Sequence, residues 1–112
     1  MKGCLFCQIL AGKVPSKKVY EDELCFAFED IAPKAPIHYL FIPKEHFASA
    51  AEIDQSRERL AGHLMLAAAG VAKKKGLEGG FRLVANTGAD AGQTVFHMHV
   101  HLMGGRALGA MG

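Results

Sequence analysis

The sequence has no apolar run long enough to cross a bilayer, no strong excess of either charge, no internal repeat and no low-complexity tract. The first absence argues against a transmembrane helix, which needs about 20 apolar residues. The N-terminal stretch MKGCLFCQIL is too short and too interrupted by polar residues for a secretory signal, so a cytoplasmic location is the default expectation. The formal net charge of +2 is too small to imply nucleic acid or an anionic membrane as a partner. Lys73, Lys74 and Lys75 form the only basic run, and a solvated helix end accounts for it. Cysteine is scarce: 3 residues, an odd count, argue against a disulfide framework. There is also no Walker lysine motif and no acidic pair beside a glycine loop, which leaves magnesium-dependent phosphoryl transfer without a sequence basis.

What is present is a chain of 112 residues, 50% hydrophobic, with charges of mixed sign. That describes one globular domain over residues 1–112. Leu5 to Leu10 reads as a short helix ending at Gly12. Lys18 to Tyr20 and Leu24 to Glu29 read as strands joined by the acidic turn Glu21-Asp22-Glu23, with Cys25 as a small buried strand residue. Pro33 and Pro36 break the chain before a strand from Ile37 to Ile42. A long helix follows, with Asp54 as its N-cap. Ile53, Leu60, Leu64, Ala67, Ala68 and Val71 recur at helical spacing, and Gly76 follows the lysines at its end. His63 on this helix reads as a surface or packing residue. Phe81 to Ala85 and Phe96 to Met103 are the last two strands. The expected fold class is therefore α+β: an antiparallel sheet of five strands with one long and one short helix.

Half of the 6 histidines fall in GQTVFHMHVHLMGG, at His97, His99 and His101. In a strand, alternate residues share a face, so the three imidazoles lie on one side and Phe96, Met98, Val100 and Leu102 pack on the other. His97 and His101 are roughly 13 Å apart along such a strand, whereas two nitrogens on one zinc are at most about 4 Å apart. The three imidazoles therefore divide between more than one task. The preceding loop, NTGADAGQTV, places Gly88, Gly92, Gln93 and Thr94 beside them. Small residues let backbone N–H groups approach an anion, and a neutral imidazole next to bound phosphate is a nucleophile. A polar sheet face without function is the bland alternative for H-x-H-x-H alone. At the other end of the chain, Cys4 and Cys7 form a C-x-x-C pair, either half of a tetrahedral metal site or two small packing residues.

HMHVHLM fits the pattern His-φ-His-φ-His-φ-φ, with φ apolar, and the chain resembles the histidine triad (HIT) family. FEDIAPKAPIHYLFIPKEH and NTGADAGQTVFHMHVHLMGGR are similar to the nucleotide-binding, phosphoramidase branch, and the resemblance runs from about Cys4 to Arg106. It implies the HIT-like fold, a homodimer, and a hydrolase that binds purine nucleotides such as AMP and cleaves at the α-phosphorus. His99 matches the family nucleophile that forms a nucleotidyl-histidine intermediate, and His101 matches the residue that contacts the phosphate or leaving group. Asn86, Gly92, Gln93, Thr94 and Val95 are implied around phosphate and sugar, and Asp30 at the ribose hydroxyls. Phe28 and Ile31 are implied at the base, with His38 supporting the triad. The resemblance also implies a structural Zn²⁺ held by Cys4, Cys7, His46 and His97, and no cofactor for the chemistry itself. A nucleoside phosphoramidate is the expected substrate. A dinucleoside polyphosphate hydrolase, a nucleotide-binding regulatory protein with incidental hydrolysis and a zinc-binding adaptor are the alternatives. The sequence ends in ALGAMG, where that branch often carries a Trp-Pro-Pro-Gly tail.

Overall fold

The computed structural model describes residues Gly3–Met111. Its elements are α1 (Leu5–Leu10), β1 (Lys18–Glu21), β2 (Cys25–Glu29), β3 (Ile37–Pro43), α2 (Glu58–Lys74), β4 (Phe81–Val84) and β5 (Val100–Gly104). The strands form one sheet in the order β1-β2-β3-β5-β4, with every neighbouring pair antiparallel. No helix among the described residues is long and apolar enough to cross a membrane.

Alternation along the strands gives the sheet two apolar faces. Cys25, Ala27, Tyr39, Phe41, Val100 and Leu102 turn toward α2 and meet Leu64, Ala67, Ala68, Val71 and Ala72. Phe28, Leu40 and Ile42 turn the other way and meet Cys4, Phe6 and Ile9 from α1 and its N-cap. The short helix thus covers only part of its face, and the uncovered remainder is where His38 and His101 stand.

Local chemistry sets the element ends. The Cys4 sulfur accepts the Cys7 N–H at 3.3 Å and caps α1, while Gly12 leaves the helix at φ 75°. Asp22 organises the β1–β2 turn by accepting from the backbone N–H of Leu24 and of Cys25, at 2.8 and 2.9 Å. Its other oxygen accepts from Tyr20 at 2.7 Å and from His63 at 2.6 Å, so His63 is a packing residue that ties the hairpin to α2. Asp54 caps a short 3-10 turn, Gln55–Arg57, which runs directly into α2. The helix therefore begins a turn later than its capping residue predicts.

The largest departure from expectation is at the last strand. Pairing starts at Val100, not Phe96, because β3 has nothing to offer beyond Phe41. Pro43 lacks an N–H, and its carbonyl is taken by the His97 ring at 2.8 Å. Met98 instead donates its N–H to the Phe47 carbonyl at 2.7 Å. Alternation survives this irregular stretch: Met98 buries among the α2-side residues while His97 and His99 turn toward Phe6. Phe96 does not join the core and is 52% exposed.

Candidate active site

His38 on β3 and His101 on β5 are diagonal neighbours, since His38 pairs with Met103 and His101 with Leu40. Their rings meet at 2.9 Å, His38 Nε2 to His101 Nδ1. A backbone N–H can only donate, so the Lys34 N–H, 3.0 Å from His38 Nδ1, identifies that nitrogen as an acceptor. Neutral His38 then carries its proton on Nε2 and donates to His101 Nδ1, which leaves the His101 proton on Nε2, the opposite side of its ring. Asp30 flanks the pair, with Oδ2 3.4 Å from His38 Nε2. Its own position is fixed by its N–H, which donates to the His38 carbonyl, and by Oδ1, which accepts from Ala32.

The same logic assigns the ring of His99. Its Nδ1 lies 2.7 Å from the His97 carbonyl, which can only accept, so Nδ1 holds the proton and Nε2 keeps its lone pair. Phe6 stands edge-on to this ring at 5.1 Å, and the His101 ring is 5.1 Å away on the other side. Burial pushes all three imidazoles of this group down from the ordinary histidine value. For His101, burial and the neighbouring His99 and His38 bring it to about 4. The row is neutral at pH 7, with one ring presenting a lone pair and the next presenting an N–H.

A cavity of about 360 Å³ opens over this row, lined by His38, His99, His101, Asp30, Lys34, Asn86, Gly92 and Thr94 among others. A second, more apolar slot of about 630 Å³ runs alongside, between Leu5, Ile9 and Val14 on one side and Phe28 and Ile31 on the other. Asp30 borders both spaces. Ile31 is 93% exposed, an apolar side chain without cover at the mouth of the slot.

Most sequence-expected residues thus converge. Gln93 and Val95 do not line the imidazole cavity. The Gln93 side chain is buried: Oε1 accepts the Gly88 N–H at 2.9 Å, and Nε2 donates to the carbonyls of Ala48 and Val95 at 2.7 and 3.1 Å. It braces the loop, with no amide hydrogen left to offer a phosphate. Gly92, at φ 90°, turns the chain after the Ala89–Ala91 turn in a conformation that a β-carbon would strain. Val95 packs toward α1 and borders a separate hollow with Cys4, His46 and Phe96.

At that end, Cys4, Cys7, His46 and His97 bring one donor atom each within 4.8 Å of one another. The sulfur–nitrogen separations are 3.3 Å (Cys4 to His97), 3.3 Å (Cys7 to His46) and 3.6 Å (Cys7 to His97), and the two Nδ1 atoms are 3.0 Å apart. Tetrahedral zinc with its usual bonds spaces such donors about 3.3–3.8 Å apart, so the set fits with small adjustment. His97 Nε2 donates to the Pro43 carbonyl, which leaves Nδ1 unprotonated and turned to the sulfurs, as a ligand requires. The Asp30, His38, His101 group is as compact, yet His38 Nε2 bears its proton and offers a metal nothing. Residues that the sequence did not single out are Phe6, which touches both His97 and His99, and Lys34. Only the position of Phe6 between the two cysteines hinted at a role.

A polarised row of neutral histidines under a cavity of about 360 Å³, edged by Asn86, Gly92 and Thr94, defines a histidine-based site on an α+β sheet. The HIT domain family model matches residues 11–108, and the chain belongs to that family. An uncharacterized HIT-like protein of Synechococcus elongatus is 47% identical over 104 residues, covering 93% of this chain and 91% of its own. A HIT family hydrolase from Clostridium thermocellum superposes with a TM-score of 0.95 at 46% identity, covering 99% of this chain and 97% of that one. A histidine triad nucleotide-binding protein from Candida albicans gives 0.82 at 29% identity, covering 98% of this chain and 84% of that one.

Proposed function

We propose that this chain is a hydrolase that binds a purine nucleotide such as AMP and cleaves nucleoside phosphoramidates at the α-phosphorus. The observation that carries the reading is the His99 ring, held by the His97 carbonyl so that an unprotonated Nε2 belongs to the ring that lines the cavity. The base occupies the apolar slot against Phe28 and Ile31, and Asp30, at the junction of slot and cavity, accepts from the ribose hydroxyls. The Thr94 N–H and hydroxyl and the Asn86 side chain hold the phosphate oxygens, while the Gly92 and Gln93 N–H groups close the loop on the carbonyls of Ala89 and Gly88.

His99 Nε2 forms a bond to phosphorus as the phosphorus–nitrogen bond breaks. The leaving nitrogen, protonated from solvent beforehand, departs with the bonding pair as a neutral amine. The His101 Nε2–H steadies the departing atom or a phosphate oxygen. Water then displaces His99 from phosphorus and returns one proton to solvent. His99→Ala should abolish turnover of adenosine 5′-phosphoramidate while leaving AMP binding measurable; equal rates for variant and wild type would sink the assignment. Tight AMP binding with no turnover by the wild type would identify a nucleotide-binding regulatory protein instead.

Cys4, Cys7, His46 and His97 form the ligand set of a structural zinc ion in this reading. Four protein ligands leave no open coordination position, so the metal would supply a clamp between α1 and the segment before β5, not chemistry. A homodimer is the assembly we propose. Met65 and Leu66 are exposed on α2 beside Gly62 and Gly70, and β4 is an unpaired sheet edge with Phe81 exposed.

A further inference from the structure

Lys34 is the only lysine or arginine lining the imidazole cavity, and its ammonium has no hydrogen-bond or ion-pair partner among the described residues. Its backbone is fixed on both sides of the side chain. The N–H donates to His38 Nδ1 at 3.0 Å, and the carbonyl accepts from Arg106 Nη2 at 2.7 Å. Gly105 lets the end of β5 lie directly against this turn: a β-carbon there would meet Pro36 Cβ at 2.9 Å. A flexible side chain therefore rises from a fixed stem beside His38. Besides burial, the Lys34 charge also lowers His38 and His101, so the ammonium is within electrostatic reach of both rings.

Lys34 lines the imidazole cavity but not the apolar slot. With a base in the slot and its ribose at Asp30, phosphorus lies over His99, and the wall that carries Lys34 faces whatever else phosphorus bears. We propose that Lys34 selects substrates whose leaving group is anionic, carrying a carboxylate or a phosphate near the displaced atom. This rests on the nucleotide reading above. Asp30, the one carboxylate lining the cavity, accepts from the Ala32 N–H and, in the nucleotide reading, from the ribose hydroxyls, which leaves Lys34 as the charge that meets a leaving group. For an exposed ammonium at low ionic strength the preference should be up to roughly fivefold, and salt should weaken it.

The test is titration calorimetry with the full chain carrying His99→Ala, which removes turnover, with and without Lys34→Gln. The ligands are the adenosine 5′-phosphoramidates of propylamine and of β-alanine, matched in length and differing in charge, together with diadenosine triphosphate. The proposal expects the β-alanine compound to bind more tightly than the propylamine compound. That ratio should collapse toward one with Lys34→Gln and invert with Lys34→Glu. If Lys34→Gln weakens only the triphosphate, the selected anion is a phosphate chain; if only the β-alanine compound, it is a carboxylate. Affinities that rank the ligands alike with and without Lys34 overturn the proposal and leave the nucleotide reading standing. Failure of any adenosine compound to bind overturns both.

Discussion

Replacing Gln93 by alanine distinguishes a brace from a ligand contact. The side chain makes three hydrogen bonds, to Gly88 N–H and to the carbonyls of Ala48 and Val95, in a buried position. Truncation leaves one donor and two acceptors without their partner and opens a void where the amide stood. Each buried unsatisfied group costs about 1–3 kcal/mol, and water entering from the nearby loop relieves part of that, so a net loss of about 2–4 kcal/mol is expected. With a urea slope of about 1–3 kcal/mol/M, the midpoint should fall by about 1 M or more. The chain has no tryptophan, so circular dichroism is the suitable probe, and equal protein concentrations keep any dimerisation out of the comparison. Below the transition, nucleotide affinity should fall by less than about threefold, since Asn86 and the Thr94 hydroxyl and N–H remain. A variant as stable as wild type to within about 0.5 kcal/mol, yet tenfold weaker for nucleotide, would refute the brace and restore Gln93 as a phosphate contact.

Two further predictions concern the Cys4, Cys7, His46 and His97 group and pH. The protein as purified should carry about one zinc per chain, and Cys4→Ala should remove it and lower the melting temperature; zinc content undiminished in that variant would remove the assignment. Asp22 is held below the ordinary carboxylate range: burial opposes its charge, but hydrogen bonds from Tyr20, His63 and the N–H groups of Leu24 and Cys25 outweigh burial. A depressed folded-state value means that the contribution is complete above the unfolded value, about 3.9, and is lost as pH falls through and below it. Asp22→Asn should therefore flatten the acid side of the stability–pH curve, measured by urea unfolding between neutrality and pH about 3. An unchanged acid slope would count against this role.

Element types and most of the site were legible because they depend on local pattern. Alternation in HMHVHLM, helical spacing from Leu60 to Val71 and the glycine after the lysines each act within a few residues, and α2 and β5 follow from them, whereas the strand order, with β5 between β3 and β4, does not. Three things depend on particular contacts in the folded chain, not on local pattern, and were not legible. The start of β5 is set by Pro43, whose missing N–H and occupied carbonyl end the ladder more than fifty residues away. Gln93 looked like a phosphate donor because its loop is glycine-bearing, but the Ala48 carbonyl, 45 residues earlier, takes its amide. The proton positions on His38, His97 and His99 are set by Lys34 N–H and by two backbone carbonyls, and no spacing rule encodes them. That the three histidines divide emerged from strand geometry, and which of them departs was implied by the family resemblance: His97 stands with Cys4, Cys7 and His46, while His99 and His101 face the cavity.

The central claim is that His99 Nε2 attacks phosphorus and carries the nucleotide between the two displacements. Acid-free quenching of wild-type protein during turnover of adenosine 5′-phosphoramidate, followed by peptide mass spectrometry, tests it most directly. The account predicts an adenylyl group on His99 during turnover, absent before substrate is added and absent in His99→Ala. Turnover at full rate with no adduct in rapidly quenched samples, or an adduct on His97 or His101 instead, would contradict it.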